Sequence, residues 1–128
     1  MLMLSHVISL IVFIIVAGAG QAIAQEKDPQ VVFNTNCRQC HTMKKDDNRL
    51  GPSLFGVVGK KAGTATNFAY SPSLKNSGVT WDEATLDKWI ENPEAVISGN
   101  TMKPYTGITD AKVRSTIIAF LKQKSEGQ

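Results

Sequence analysis

The chain has 128 residues, 42% of them hydrophobic and only 7% aromatic, with two Cys and two His. Its 14 basic and 11 acidic residues leave a formal charge of +3, too small and dispersed an excess for a nucleic-acid binder, which would carry a basic stripe. Every Lys, Arg, Asp and Glu lies beyond position 25, so the charge belongs to the downstream part, where it biases encounters toward an acidic protein surface.

The N-terminus is an apolar run from Val7 to about Gly20, closed by Ala22-Ile23-Ala24. Small residues at 22 and 24 form an Ala-x-Ala cleavage pattern, so residues 1–24 are predicted to be a secretory signal peptide. Its n-region lacks Lys and Arg, and with its flanks the run approaches the ~20 residues that span a bilayer, so an uncleaved membrane anchor is the alternative. Either way residues 25–128 are exported, to the periplasm, as one small domain. A domain of about 100 residues buries a modest core and is marginally stable.

Asp28-Pro29 reads as an N-cap followed by proline at the first helical position, with Val31, Val32 and Phe33 as apolar positions. This predicts a helix over 29–41 that presents Cys37-Arg38-Gln39-Cys40-His41 near its end. Two thiols three positions apart, followed at once by an imidazole, are the attachment spacing of a c-type haem. One helical turn lets both sulfurs reach the vinyl groups while the next residue places a ring nitrogen under the iron. A structural zinc site takes four ligands, and only three candidates, Cys37, Cys40 and His41, lie outside the N-terminal segment. A thioredoxin-like pair needs a βαβ setting that the pattern lacks, and a plain disulfide gives no reason for His41. Haem attachment consumes both thiols and leaves no free Cys in an oxidising compartment. The haem would also thicken a thin core, so the chain is expected to fold poorly without it.

Residues 42–63, rich in Lys, Asp and Gly, read as a loop punctuated by Gly51-Pro52 and Gly56. Ser71-Pro72 repeats the cap-then-proline pattern and predicts a short helix over 72–76. Thr80 and Glu83 stand in capping-box spacing ahead of Leu86, Trp89 and Ile90, an amphipathic helix ending at Asn92-Pro93, with a brief helical turn after Pro93. The last helix should start at Thr109 or Asp110, carry Val113, Ile117, Phe120 and Leu121 on one face, and pack against the first. No repeat or strand alternation occurs, so an all-α domain of short helices and long ordered loops is expected.

An iron bound by His41 needs an assignment for its other side. Outside the N-terminal segment the chain has no second His, and its methionines there are Met43 and Met102. Met43 is too near His41 in sequence to cross the ring, which leaves Met102, in a loop whose Gly99, Asn100 and Pro104 let backbone lie against a flat plate. A Met/His pair raises the reduction potential relative to two imidazoles. Because both ligands stay bound in either oxidation state, the pair suits an electron carrier.

With these residues, and with Gly51-Pro52-Ser53-Leu54, Val58-Gly59-Lys60-Lys61-Ala62-Gly63, Phe68-Ala69-Tyr70, Gly78-Val79-Thr80-Trp81, Leu86-Asp87-Lys88-Trp89-Ile90-Glu91-Asn92-Pro93 and Gly107-Ile108, the chain resembles the class I c-type cytochromes. It is most similar to small bacterial relatives of mitochondrial cytochrome c, over residues 29–124. The attachment motif stands early, unlike that of the four-helix-bundle cytochromes. The resemblance implies the class I fold around one haem c, with Cys37 and Cys40 as thioethers and His41 and Met102 as iron ligands. It implies that the Pro52 carbonyl accepts from His41 Nδ1, that Tyr70 and Trp81 offer O–H and N–H to a haem propionate, and that Phe120 meets the first helix near Phe33. Departures from the family pattern are Trp89 for a Tyr beside the axial Met, Lys60 for an Arg near a propionate, Asn100 for a Thr, and one extra residue between Met102 and Gly107. Pro29 stands near the helix-contact Gly of the family.

The expected function is therefore monomeric one-electron transport, without catalysis, between complexes such as a cytochrome bc complex and a terminal oxidase. Lys44, Lys45, Lys60, Lys61 and Lys103 are the candidate docking cations. A peroxidase is the competing reading, disfavoured because His41 is used as a ligand and no other His remains to act as acid or base.

Overall fold

The computed structural model describes residues 26–126. The predicted signal peptide or anchor therefore lies outside the described residues. Five helices follow one another: α1 (Pro29–Asn36), α2 (Pro72–Lys75), α3 (Glu83–Glu91), α4 (Pro93–Val96) and α5 (Ala111–Glu126). Among the described residues there are no strands, only an isolated antiparallel bridge between Lys61 and Thr80. The all-α expectation holds.

Helix α1 starts as predicted, with the Asp28 carboxylate accepting from Gln30 N and Pro29 in the first turn. It ends at Asn36 rather than 41. The reason is local: Thr35 Oγ1 and Asn36 Nδ2 donate back to the carbonyls of Val31 and Val32, both at 2.8 Å, and Cys37 leaves helical geometry with φ −124°. Beyond it Cys40 N and His41 N both donate to Cys37 O, at 3.1 and 3.0 Å. The attachment motif is thus a tight turn hung on one carbonyl, not a last turn of helix.

The capping box at Thr80 and Glu83 is also corrected. Asp82 is the N-cap of α3, its carboxylate accepting from Thr85 N at 2.7 Å. Thr80 is committed elsewhere: its segment pairs with the Lys61 segment through Ala62 N to Val79 O (2.8 Å) and Trp81 N to Lys60 O (2.9 Å). An ionised cap at a positive helix end is also the stronger choice. Asn92 ends α3 and caps α4, accepting from Ala95 N at 3.3 Å. Ser71 caps α2 as expected, accepting from Leu74 N.

Helix α5 crosses both α1 and α3. Phe33 and Phe120, 2% and 3% exposed, stack at 4.9 Å between ring centroids, the predicted contact of first and last helices. Ile117, Ile118 and Leu121 complete the buried face, and Val113 is only partly covered. Arg114 is buried in that seam. Its Nε donates to Asp87 of α3 at 2.7 Å, and its Nη1 donates to the carbonyls of Ile108 (3.1 Å) and Thr109 (2.9 Å). Residues 42–63 form the expected irregular loop, and the irregular backbone continues to Ser71, contributing residues from Lys45 to Ser71 to the lining of a cavity.

Candidate functional site

The motif residues are brought together by one cavity of about 720 Å³, lined by Cys37, Cys40, His41 and Met102. That volume falls in the range of cofactor pockets, roughly 300–1,000 Å³. Its floor is apolar, with Leu74 of α2, Leu86 and Ile90 of α3, and Ile117 and Leu121 of α5. Met43 lines a separate cleft beside Phe33 and Thr42, away from the site.

His41 is held by two constraints. Its Nδ1 lies 2.7 Å from the Pro52 carbonyl, which can only accept, so the proton sits on Nδ1 and the Nε2 lone pair is free. Burial pushes the imidazole below its ordinary pKa, against the opposing pull of that carbonyl. The ring is therefore neutral, the form that binds a metal. On its other side the imidazole packs against Gly51, where an added Cβ would lie only 2.7 Å from Nδ1. Gly51-Pro52 is a fitted seat for this ring.

Burial, with a smaller contribution from Cys40, pushes the Cys37 thiol up to about 12. Such surroundings suit an uncharged sulfur, as in a thioether. Among the described residues no cluster of His, Cys, Asp and Glu could hold a bare metal ion. Paired thiols, a neutral imidazole and an apolar slot fit a flat cofactor stapled at one edge.

Tyr70 and Trp81 both line the cavity, as the resemblance implies. The Tyr70 hydroxyl accepts from Ala65 N at 3.3 Å and its ring meets Phe68 edge-on at 4.9 Å. Trp81 packs on Trp89 at 5.1 Å, both indoles buried. Beside Met102, Tyr105 donates its hydroxyl to the Ile90 carbonyl. Burial raises that phenol to about 12, so it remains a donor. Lys45, Lys60, Lys61 and Lys103 stand exposed along the cavity's border, and Leu50 projects there with 80% of its surface free.

Three residues around the site were not singled out by sequence reasoning: Glu94, Tyr105 and Arg114. Glu94 accepts from Ser98, Gly99, Asn100 and Lys103, all in the Met102 loop. Its only sequence signal is an acid in the first turn after Asn92-Pro93, which reads as ordinary dipole compensation.

The profile of a family described as "Cytochrome C oxidase, cbb3-type, subunit III" matches residues 24–121. Among curated proteins, the chain is 38% identical over 96 residues to a cytochrome c of Gibberella zeae, covering 74% of this chain and 90% of that protein. It is 46% identical over 86 residues to a cytochrome c2 of Rhodomicrobium vannielii, covering 66% of this chain and 68% of the other. Among solved structures, cytochrome cH from Methylobacterium extorquens superposes with a TM-score of 0.68 at 42% identity, covering 74% of this chain and 94% of that one. Fungal and bacterial relatives thus share the sequence, a bacterial cytochrome shares the fold, and the chain belongs to the class I c-type cytochromes.

Proposed function

We propose that this chain is a one-electron carrier holding one haem c, attached through Cys37 and Cys40 and ligated by His41 and Met102. The observation that carries the reading is that all four residues line a single cavity in which His41 is fixed as the neutral Nδ1–H tautomer. When bound, the haem iron supplies the redox couple.

The protein's part is to hold still. Pro52 and Gly51 orient the His41 ring, and Asn100 Oδ1 accepts from Met102 N at 3.0 Å, fixing the backbone of the second ligand. The buried indoles of Trp81 and Trp89, with Leu86 and Ile90, keep water out of the slot. Little then has to move between oxidation states, which keeps reorganisation small. A Met/His set also raises the potential. Among the described residues no second His remains to act as a peroxidatic acid–base once His41 is a ligand, which favours transport over catalysis.

The mature form is proposed to be periplasmic, released by cleavage after Ala24. No helix among the described residues is long and apolar enough to cross a membrane. Redox complexes such as a cytochrome bc complex and a terminal oxidase are the proposed partners, met through the lysine-bordered cavity mouth. The deciding experiment is the optical spectrum of the purified protein together with its intact mass. A low-spin ferric spectrum with the weak far-red band of Met ligation, and a mass for residues 25–128 plus one haem, are expected. A high-spin ferric spectrum at neutral pH would sink the carrier reading, and a full-length mass would replace the free carrier by an anchored one.

A further inference from the structure

The Met102 loop is tied down by one carboxylate that stands outside it. Glu94, on the short helix α4, accepts through Oε1 from Ser98 Oγ (2.9 Å) and Gly99 N (2.8 Å). Through Oε2 it accepts from Asn100 Nδ2 (3.1 Å) and Lys103 Nζ (3.0 Å). Both oxygens are doubly used, so the four lone-pair sites of an ionised carboxylate are filled. Asn100 relays this hold inward. It is 4% exposed, its Nδ2 also donates to Ile97 O at 2.9 Å, and its Oδ1 accepts from Met102 N at 3.0 Å.

The orientation of the Asn100 amide follows from chemistry. Its two neighbours on one side, a carboxylate and a carbonyl, only accept, so the NH₂ must face them and the oxygen must face the Met102 N–H. A turned amide would set oxygen against oxygen. Glu94, together with the Ile97 carbonyl, therefore fixes which way Asn100 points, and Asn100 Oδ1 holds the Met102 backbone. We propose that Glu94 is a positioning residue for Met102, acting through Asn100 to hold the thioether in place against competing ligands. This rests on the assignment of Met102 as an iron ligand. The carboxyl is held down to about 2, mainly by the Gly99 amide and next by Lys103, so the clamp is charged throughout the physiological range.

Glu94→Gln is the discriminating variant. It keeps size and shape but has one acceptor oxygen, so its NH₂ must face donors on one side, either Gly99 and Ser98 or Asn100 and Lys103. Glu94 is exposed, so the holoprotein should fold normally. The measurement is the affinity of the ferric holoprotein for added imidazole, which must displace Met102. Glu94→Gln should bind imidazole about tenfold more tightly, the size expected when a charge-assisted hydrogen bond is lost from the closed form only. Asn100→Ala should act in the same direction. The double variant should match the stronger single one, because the two residues act in series. Amide exchange at Gly99 and Met102 should quicken in Glu94→Gln while that of α1 and α5 is unchanged.

Two failures are distinguishable. If the unmodified protein lacks the far-red band, or Met102→Ala retains it, the ligand assignment falls and this proposal with it. If that band behaves as expected but imidazole affinity in Glu94→Gln stays within about twofold of the parent, Glu94 positions nothing and the proposal alone is overturned.

Discussion

At the scale of single residues the site depends on groups that can only donate or only accept. The Pro52 carbonyl leaves His41 one tautomer, and the Glu94 carboxylate leaves Asn100 one orientation. The first was legible because Gly51-Pro52 follows the attachment motif at a family spacing. The second was not, since a Glu in a helical first turn gives no hint that five residues on the chain folds back over it. Asn100 was noticed as a loop former and as a departure from the family pattern, not as a hydrogen-bond relay. Its side chain replaces a hydroxyl by an amide long enough to span from Glu94 to Met102 N.

The same carboxylate gives a pH prediction. Its folded pKa, about 2, lies below the ordinary 4.5, so its contribution is full above about 4.5 and is lost as pH falls toward about 2. Lys103 Nζ faces it at 3.0 Å. In the reduced holoprotein the Gly99 amide resonance should shift with a midpoint nearer 2 than 4.5. A midpoint at the ordinary value would mean the clamp does not form in solution.

Among elements, proline-punctuated starts were read correctly at α1, α2 and α4, because Asp28-Pro29, Ser71-Pro72 and Asn92-Pro93 each bring a cap and a fixed φ within two residues. The end of α1 was misread for a local reason, the side chains of Thr35 and Asn36 bonding back to the helix, whereas the cap of α3 was misread because a long-range contact overrode a local signal. Thr80 is drawn into pairing with Lys61, so Asp82 takes over the cap. Arg114 shares the α5 face of Ile117, Ile118 and Leu121, but a charged side chain there reads as exposed; only the fold brings Asp87 and the Ile108 and Thr109 carbonyls around it. The α1–α5 contact was legible from the apolar face of α5 and centres on the Phe33–Phe120 stack. Phe120→Ala should destabilise the holoprotein by about 3–5 kcal/mol in denaturant unfolding, the cost of an aromatic core cavity. A loss under about 1 kcal/mol would mean the seam repacks around the gap.

For the whole molecule, the family was legible because the attachment motif is confined to five adjacent residues, and the helical class because apolar positions recur at helical spacing without strand alternation. The shape of the cavity came only with the fold, since its walls come from residues as far apart as Asn36 and Leu121. Its lysine border bears on partner choice. Lys103 is neutralised locally by Glu94, whereas Lys45, Lys60 and Lys61 pair with no carboxylate among the described residues and dominate the positive rim. Electron-transfer rates with an acidic redox partner should fall as ionic strength rises past physiological, where the Debye length is about 8 Å. Lys60→Glu with Lys61→Glu should slow the reaction by about tenfold or more at low salt, and Lys103→Ala should change it far less. Stopped-flow kinetics against ionic strength would measure both. Equal effects from all three sites would contradict this ranking.

Ile108 N donates to Ile90 O at 2.9 Å, Gly107 abuts the Glu91 carbonyl so closely that no Cβ would fit, and Asn92 opens the same stretch. Both ends of the segment from Pro93 to Gly107 are thus fastened to the last residues of α3, like a loop of thread knotted at its base. Slack taken up inside such a knot is not transmitted beyond it. Doubling the length of a flexible loop adds only about 0.6 kcal/mol of closure cost. An added residue between Met102 and Gly107 is therefore absorbed locally, and the surroundings of Met102 can change in length without disturbing the helices that carry the rest of the protein.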